Sequence, residues 1–132
     1  MTTHSPILTK SFRALVAIQG YLIAAASGTG NSVRVANGPT DALVAAVDEM
    51  GAKAGGMADI DIVGISSVRF GDDVAFNDPL TSDDEGRAVK AEPVAGEIVR
   101  IIGFAMCDAG ENDVGTYWVA PGILATPEAG DP

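Results

Sequence analysis

Apolar and polar positions alternate with a period of two through the middle of the chain. In Asp59-Ile60-Asp61-Ile62-Val63-Gly64, the residues Ile60, Ile62 and Gly64 share one parity and Asp59, Asp61 and Val63 the other. That pattern predicts a strand with one buried face. Ser67-Val68-Arg69-Phe70 follows, then a Gly71-Asp72-Asp73 turn and the short apolar run Val74-Ala75-Phe76. Asn77-Asp78-Pro79 marks a second turn, Ser82-Asp83-Asp84-Glu85-Gly86 a third, and Arg87-Ala88-Val89-Lys90 a last short strand. Gly, Asn, Asp and Pro fall wherever the apolar pattern breaks, because these residues supply the dihedrals and local hydrogen bonds that turns need.

Upstream, residues 1–10 hold Thr, Ser, His4 and Pro6, with Ile7 and Leu8 as the main apolar content. They predict an extended arm that is ordered only when something outside the domain holds it. From Phe12 the chain turns apolar, and Gly20 separates Leu15, Val16 and Ile18 from Tyr21, Leu22 and Ile23. Two short strands fit best. Phe12, Leu15, Val16 and Gln19 also match helical spacing, which keeps a helix over 11–19 open. Ser27-Gly28-Thr29-Gly30-Asn31 reads as a turn leading into the strand Ser32 to Ala36, together a hairpin closed by Asn37-Gly38-Pro39.

Residues 40–54 admit two readings. Asp41 could cap a helix running to Met50, with Gly51 as its stop. The second reading rests on a loose internal repeat. Val44 to Asp48, a small-residue connector and Ala58 to Gly64 form one copy; Ile102 to Met106, a turn, Val114 and Trp118 to Gly122 form the other. The second copy is rich in β-branched and aromatic residues and reads as a strand pair, so the strand reading is carried back to the first. Trp118 is then either a core residue of that pair or an interface residue on its surface. Glu92 to Gly96 is a loop, and 125–132, with two Pro, is a frayed tail.

These elements predict a mainly β, small single-domain module, barrel-like or sandwich-like. It has short hairpins, an extended arm over 1–10, a β-rich domain over 11–124, a flexible tail over 125–132 and little helix. The composition agrees. The chain has 132 residues, 47% of them hydrophobic but only 5% aromatic, so its core must be built from small side chains. Sixteen Gly and seven Pro favour many reversals over a helical bundle.

Charge narrows the functional classes. Eight Lys and Arg against eighteen Asp and Glu give a formal net charge of −10. Such a surface repels phosphate, which argues against direct nucleic-acid binding and against anionic membranes. It suits solubility or a partner presenting positive charge. A lone Cys107 in an apolar run reads as a buried small hydrophobe and allows no internal disulfide. The start lacks the features of a signal peptide and no apolar run is long enough to span a bilayer, so synthesis in the cytoplasm is expected.

No catalytic, cofactor or metal constellation assembles from the sequence. Gly28-Thr29-Gly30-Asn31 lacks the Lys-Ser/Thr of a phosphate loop and the third Gly of a dinucleotide fingerprint. From Asp78, an EF-hand would want Gly in sixth place, where Asp83 stands, so the acids of 72–85 read as a solvated turn face. His4 is the single histidine, which rules out a His/Cys zinc cage and makes Ser/His/Asp catalysis a poor fit. Val68 to Val74 followed by Asp78-Pro79-Leu80 has a faint likeness to biotinyl or lipoyl carrier domains. That alternative would make Lys90 the attachment site, although it lacks the flanking methionines. The competing account of Lys90 is an edge-strand charge that discourages sheet-to-sheet pairing.

A further set of segments is informative as an ordered series. Thr9-Lys10-Ser11-Phe12 and Val47-Asp48 come first, followed by Asn77-Asp78-Pro79-Leu80-Thr81-Ser82-Asp83 and Gly86-Arg87-Ala88-Val89. Arg100-Ile101-Ile102-Gly103-Phe104-Ala105 and Val119-Ala120-Pro121-Gly122 complete it. Over roughly residues 8–124 the chain resembles the small capsid cement, or head decoration, proteins of tailed bacteriophages and prophages. It departs from them at Asn77, where Gly is usual, and at Val44-Ala45, where Ile-Gly is usual.

The resemblance implies a virion structural protein with no enzymatic activity and no cofactor. Such a protein sits on the outer capsid surface and stabilises an icosahedral head by bridging neighbouring major capsid subunits, commonly as a homotrimer. Capsid contact would then fall on the arm and its junction with the domain, at Ile7, Leu8, Lys10 and Phe12.

Overall fold

A computed structural model describes residues 5–126. It contains nine strands: β1 (Ser5–Ala14), β2 (Ile23–Ala26), β3 (Ser32–Val35), β4 (Leu43–Ala46), β5 (Met57–Arg69), β6 (Pro79–Ser82), β7 (Ala88–Lys90), β8 (Ile98–Ala105) and β9 (Val114–Ala125). They form one mixed sheet in the order β4-β2-β3-β1-β5-β9-β8-β6-β7, with β1 and β3 parallel and the other pairs antiparallel. The described residues contain no helix. The mainly β, single-domain expectation therefore holds, although the sheet is not closed into a barrel and ends in two margins, β4 and β7. It curls far enough for Arg100 N–H of β8 to donate to the Pro39 carbonyl just before β4, at 2.8 Å.

The hairpin predicted around Ser27 to Asn31 is β2–β3, with Ala24 opposite Val35 and Ala26 opposite Val33. Residues 43–46 are strand, not helix. Leu43, Ala45, Ala46 and Val47 are all buried, a run that a one-faced helix does not produce. Asp41 caps nothing helical: its carboxylate takes both terminal nitrogens of Arg34, at 2.6 and 2.7 Å. Val47 pairs with Ile60 as an isolated bridge, so the first repeat copy turns back on itself as the second does through β8 and β9.

Some elements differ from expectation. The two strands expected around Gly20 are displaced outward, to Ser5–Ala14 and Ile23–Ala26, and residues 15–22 connect them. No helix forms over 11–19. Val74-Ala75-Phe76 is not a strand and contributes one bridge, Val74 to Ala109. Pro79 and Ser82, read as members of the second and third turns, are the two ends of β6. The expected strand Arg87 to Lys90 is present as β7.

The described part of the N-terminal segment is extended and is held by this chain. Thr9 pairs with Asp61 and Lys10 with Ile60. Where β1 crosses the middle of β5 the chains approach so closely that a Cβ on Gly64 would lie 2.6 Å from the Ser5 carbonyl oxygen. Gly64 also has φ +110°, so only glycine suits the crossing. At the other end, the Thr126 hydroxyl donates to the Pro93 carbonyl at 3.1 Å. Met1 to His4 and residues 127–132 lie outside the described residues, and with them His4 and most of the expected tail.

The core is made of small side chains, as the composition required. Ala14, Ala24, Ala25, Ala36, Ala45, Ala46, Ala58, Ala88 and Ala105 fill the space around Tyr117, Phe70, Ile23, Ile60, Leu80 and Ile102. Each large side chain buried there contributes about 1.5–3 kcal/mol from desolvation. A second, smaller cluster of Ala91, Val99 and Ile101, joined by Phe104 and Leu124, packs where β8 and β9 run on together.

Candidate functional site

A succession of apolar side chains that reach the surface runs from β1 across β5 and β9 to β8. Ile7 is 78% exposed, and Leu8 is exposed directly opposite exposed Val63 of β5. Two residues on from Val63, Ile65 pairs with Trp118 of β9, and Trp118 in turn pairs with Phe104 of β8. Trp118 is 50% exposed, its ring centroid 6.1 Å from that of Phe104. Register partners have neighbouring side chains, so apolar residues follow one another across four adjacent strands. Trp118 therefore belongs to the surface, and the buried aromatic of this strand is its neighbour Tyr117.

Three of the four predicted contact residues, Ile7, Leu8 and Lys10, are exposed on β1. Phe12 is half-buried and packs against the main core, with the Lys10 ammonium 5.6 Å from its ring centroid. Among the described residues β1 is also open along one side. β3 reaches it only at Arg13 and Ala14, so over residues 5–12 its named strand partner is β5 alone. Ile65 and Val63 were not singled out as contacts from sequence, whereas Trp118 stood there as either a core or an interface residue. A signal existed at Trp118, since a large aromatic ring flanked by buried positions in a strand must take one face or the other.

A polar anchor holds β1 to this surface. Asp61, 5% exposed, accepts from the Thr9 hydroxyl at 2.6 Å through one oxygen and from the Ser66 hydroxyl at 2.9 Å through the other. Asp59 accepts from the Ser11 hydroxyl at 2.6 Å. The alternation that marked Asp59 and Asp61 as an outward face thus has a use: both acids pin β1 to β5.

Elsewhere the polar groups are engaged with one another. Arg87 donates to Asp83 at 2.9 Å, to Glu85 at 3.0 Å and to the Asn112 side chain at 3.1 Å, while Arg69 donates to the Asn112 carbonyl at 2.7 Å. Asp83, Asp84 and Glu85 could bring ligand atoms within 4.8 Å of each other. The Asp83 oxygens, however, already accept from Arg87 and from the Glu85 and Arg87 N–H groups. That leaves a structured turn face rather than a cation cage. Cys107 is half-buried against the main core, its sulfur 3.8 Å from the Thr116 carbonyl oxygen. Lys90 is exposed on the marginal strand β7, at the end away from the Asp83 to Gly86 turn. A carrier lysine is presented at a hairpin tip; this one is not.

No family model and no curated protein matches the sequence. Among solved structures the chain is similar to the head fibre gp8.5 N base of bacteriophage phi29. The TM-score is 0.60 at 19% identity, and the match covers 86% of this chain and 93% of that one. The two share a fold across nearly their whole lengths.

Proposed function

We propose that this protein is a structural component of a phage head, one that decorates the outer capsid surface and stabilises it by bridging neighbouring major capsid subunits. The observation that carries the reading is the fold shared, over most of both chains, with a protein of the phi29 head. The segment resemblance to head decoration proteins, over roughly residues 8–124, supports the same class.

The surface chemistry fits the task. A clamp needs contact area and hydrogen-bonding edges rather than a reactive group. β1 offers exposed Ile7 and Leu8, the cation of Lys10 and an unpaired side to which an extended segment of a partner can add. Trp118 and Phe104 extend the apolar contact across the sheet, and an exposed Trp is the residue type most enriched among binding hot spots. If three copies act together on one head, each contact can be modest, because engagement of the first raises the effective concentration of the rest. The direct partner is the major capsid protein.

The test is co-sedimentation of the purified protein with cognate expanded heads. Pelleting with the heads at micromolar concentration is expected; a protein that stays in the supernatant counts against the reading.

A further inference from the structure

The chain has asparagines at 31, 37, 77 and 112, and the structure treats one of them differently. An asparagine is chemically fragile when the backbone nitrogen of the next residue can reach its side-chain carbonyl carbon, and heat-stable proteins carry few of them. At 31, 77 and 112 that nitrogen is engaged. Ser32 N–H donates to the Thr29 carbonyl at 3.3 Å, Asp78 N–H to the Ala75 carbonyl at 3.0 Å and Asp113 N–H to the Gly110 carbonyl at 3.1 Å. The Asn112 side chain is held as well, its oxygen accepting from Arg87 at 3.1 Å.

Asn37 has neither restraint. Among the described residues the Gly38 N–H has no acceptor and the Asn37 side-chain amide has no partner. Asn37 is exposed. Gly38 hinders attack least of all residues because it has no side chain, and even a Cβ built there would meet nothing within 4 Å. Hydrogen bonds position the loop around the pair. Asn37 N–H donates to the Asp41 carboxylate at 3.2 Å, Asp41 N–H to the Gly38 carbonyl at 3.3 Å and Arg100 N–H to the Pro39 carbonyl at 2.8 Å. The Gly38 nitrogen and the Asn37 side chain are left free between them. The competing account is that these bonds hold the Asn37–Gly38 peptide too rigidly for the two to meet.

We propose that Asn37 is a site of spontaneous intramolecular deamidation. The Gly38 nitrogen attacks Cγ of Asn37, and its proton leaves with the side-chain nitrogen as ammonia. One C–N bond forms, another breaks, and a cyclic imide remains. Water then opens the imide. Attack at Cγ gives aspartate, whereas attack at the main-chain carbonyl gives isoaspartate, whose backbone is longer by the side-chain carbon. No oxidant, metal or enzyme is needed. Either product places a new carboxylate near Asp41, whose oxygens already serve Arg34 and the N–H groups of Asn37 and Ala42, and a like charge there opposes that set. The longer isoaspartyl backbone also falls between the Ala36 N–H, which donates to the Ile23 carbonyl at 2.9 Å, and the Gly38 carbonyl. The connection from β3 to β4 therefore loosens as the protein ages.

The experiment ages the purified full-length protein in warm, mildly alkaline buffer, folded and in denaturant, beside Gly38→Ala and Asn37→Gln. Peptide mass mapping follows the change of each asparagine amide to an acid. An isoaspartyl methyltransferase with a labelled methyl donor reports the isoaspartyl product. In the folded protein conversion is expected at Asn37 alone, and faster at higher pH, because the attacking nitrogen must lose its proton. Gly38→Ala should slow it by about tenfold, or about 1.4 kcal/mol on the barrier, with the thermal midpoint unchanged. Asn37→Gln should remove both the conversion and the methyl label. An Asn37 that stays intact while folded overturns the proposal; conversion confined to denaturant would assign its protection to the hydrogen bonds of the loop. Earlier conversion at residue 31, 77 or 112 in the folded protein overturns it equally.

Discussion

The hydroxyl of Tyr117, at the centre of the core, accepts the backbone N–H of Ala46 at 3.0 Å. Tyr117 lies on β9 and Ala46 ends β4, two strands far apart in the sheet order, so the bond ties the curled sheet across its interior. Burial pushes the phenol well above its ordinary pKa, so it stays neutral throughout the accessible pH range. Tyr117→Phe keeps the ring and leaves the Ala46 N–H without its partner. The variant should lose about 1–3 kcal/mol in denaturant unfolding, the cost of a buried donor left unpaired. A loss below about 0.5 kcal/mol would mean that water or a local shift replaces the bond.

Arg34 and Asp41 form a bidentate pair beside β3, with the Asp41 side chain only 8% exposed. The Arg34 hydrogen bonds hold the Asp41 carboxyl below the usual carboxylate range, and the Ala42 and Asn37 N–H groups add to the effect. A depressed folded pKa means stability that is fully present above the unfolded value, about 3.9, and is lost as pH falls through the folded value. Asp41→Asn should therefore cost about 1–2 kcal/mol at pH 7, and the gap from wild type should close in acid. A gap independent of pH would assign the loss to packing.

Asp48 has the opposite sign. Burial raises its pKa, and the nearby charges of Asp59 and Asp61 add to that. An acid with a raised folded pKa binds more protons folded than unfolded, so its contribution to stability falls as pH rises from the unfolded value through the folded one. Asp48→Asn keeps an oxygen for the Met50 N–H, which Asp48 now accepts at 3.1 Å. The thermal midpoint should rise at pH 7 and match wild type near pH 3. A lower midpoint at pH 7 would show that the charge is used.

Trp118→Ala separates core from surface on the same strand. Half of this side chain is in water and its ring meets Phe104 alone among aromatic partners of the described residues. Unfolding free energy should change by less than about 1 kcal/mol, while head binding weakens by about 2 kcal/mol if the ring is an interface anchor. A large stability loss with unchanged binding would return Trp118 to a structural role.

Much of the fold was legible because turns and alternation are local. Ser27 to Asn31 and Asp83 to Gly86 reverse the chain through their own side chains and dihedrals, and they stand where the residue types placed them. Strand ends near Gly20 were not legible. Ser5 to Ala14 is a strand because Asp59 and Asp61, about fifty residues on, supply acceptors for Ser11 and Thr9, and no window along the chain contains both halves of that arrangement. The strand at 43–46 was ambiguous for a related reason. Alanine is the best helix former, so the local signal allowed a helix, and it is the pairing with β2, with the Tyr117 hydroxyl on the Ala46 N–H, that makes the segment a strand. The exposed apolar residues were visible one by one, but their succession from Leu8 to Phe104 exists only through the pairing of β1, β5, β9 and β8.

β1 itself offers a graded test, because contact and anchoring fall on successive residues. Ile7 and Leu8 point outward, whereas Thr9 donates to the buried carboxylate of Asp61. Removing residues 1–8 deletes exposed apolar surface and leaves the Thr9–Asp61 bond, so head binding should drop while the thermal midpoint barely moves. Removing residues 1–10 also takes the hydroxyl from one Asp61 oxygen, leaving Ser66 as its remaining hydroxyl donor of the pair. A charge so buried tolerates the loss of a donor poorly, at about 1–3 kcal/mol, and the midpoint should now fall. Thr9→Val in the full-length chain should reproduce that fall without the binding defect. If the shorter truncation is already strongly destabilised, Ser5 to Leu8 belong to the folded core. If it binds heads as well as the intact protein does, capsid contact lies away from β1 and passes to Trp118 and the strands around it.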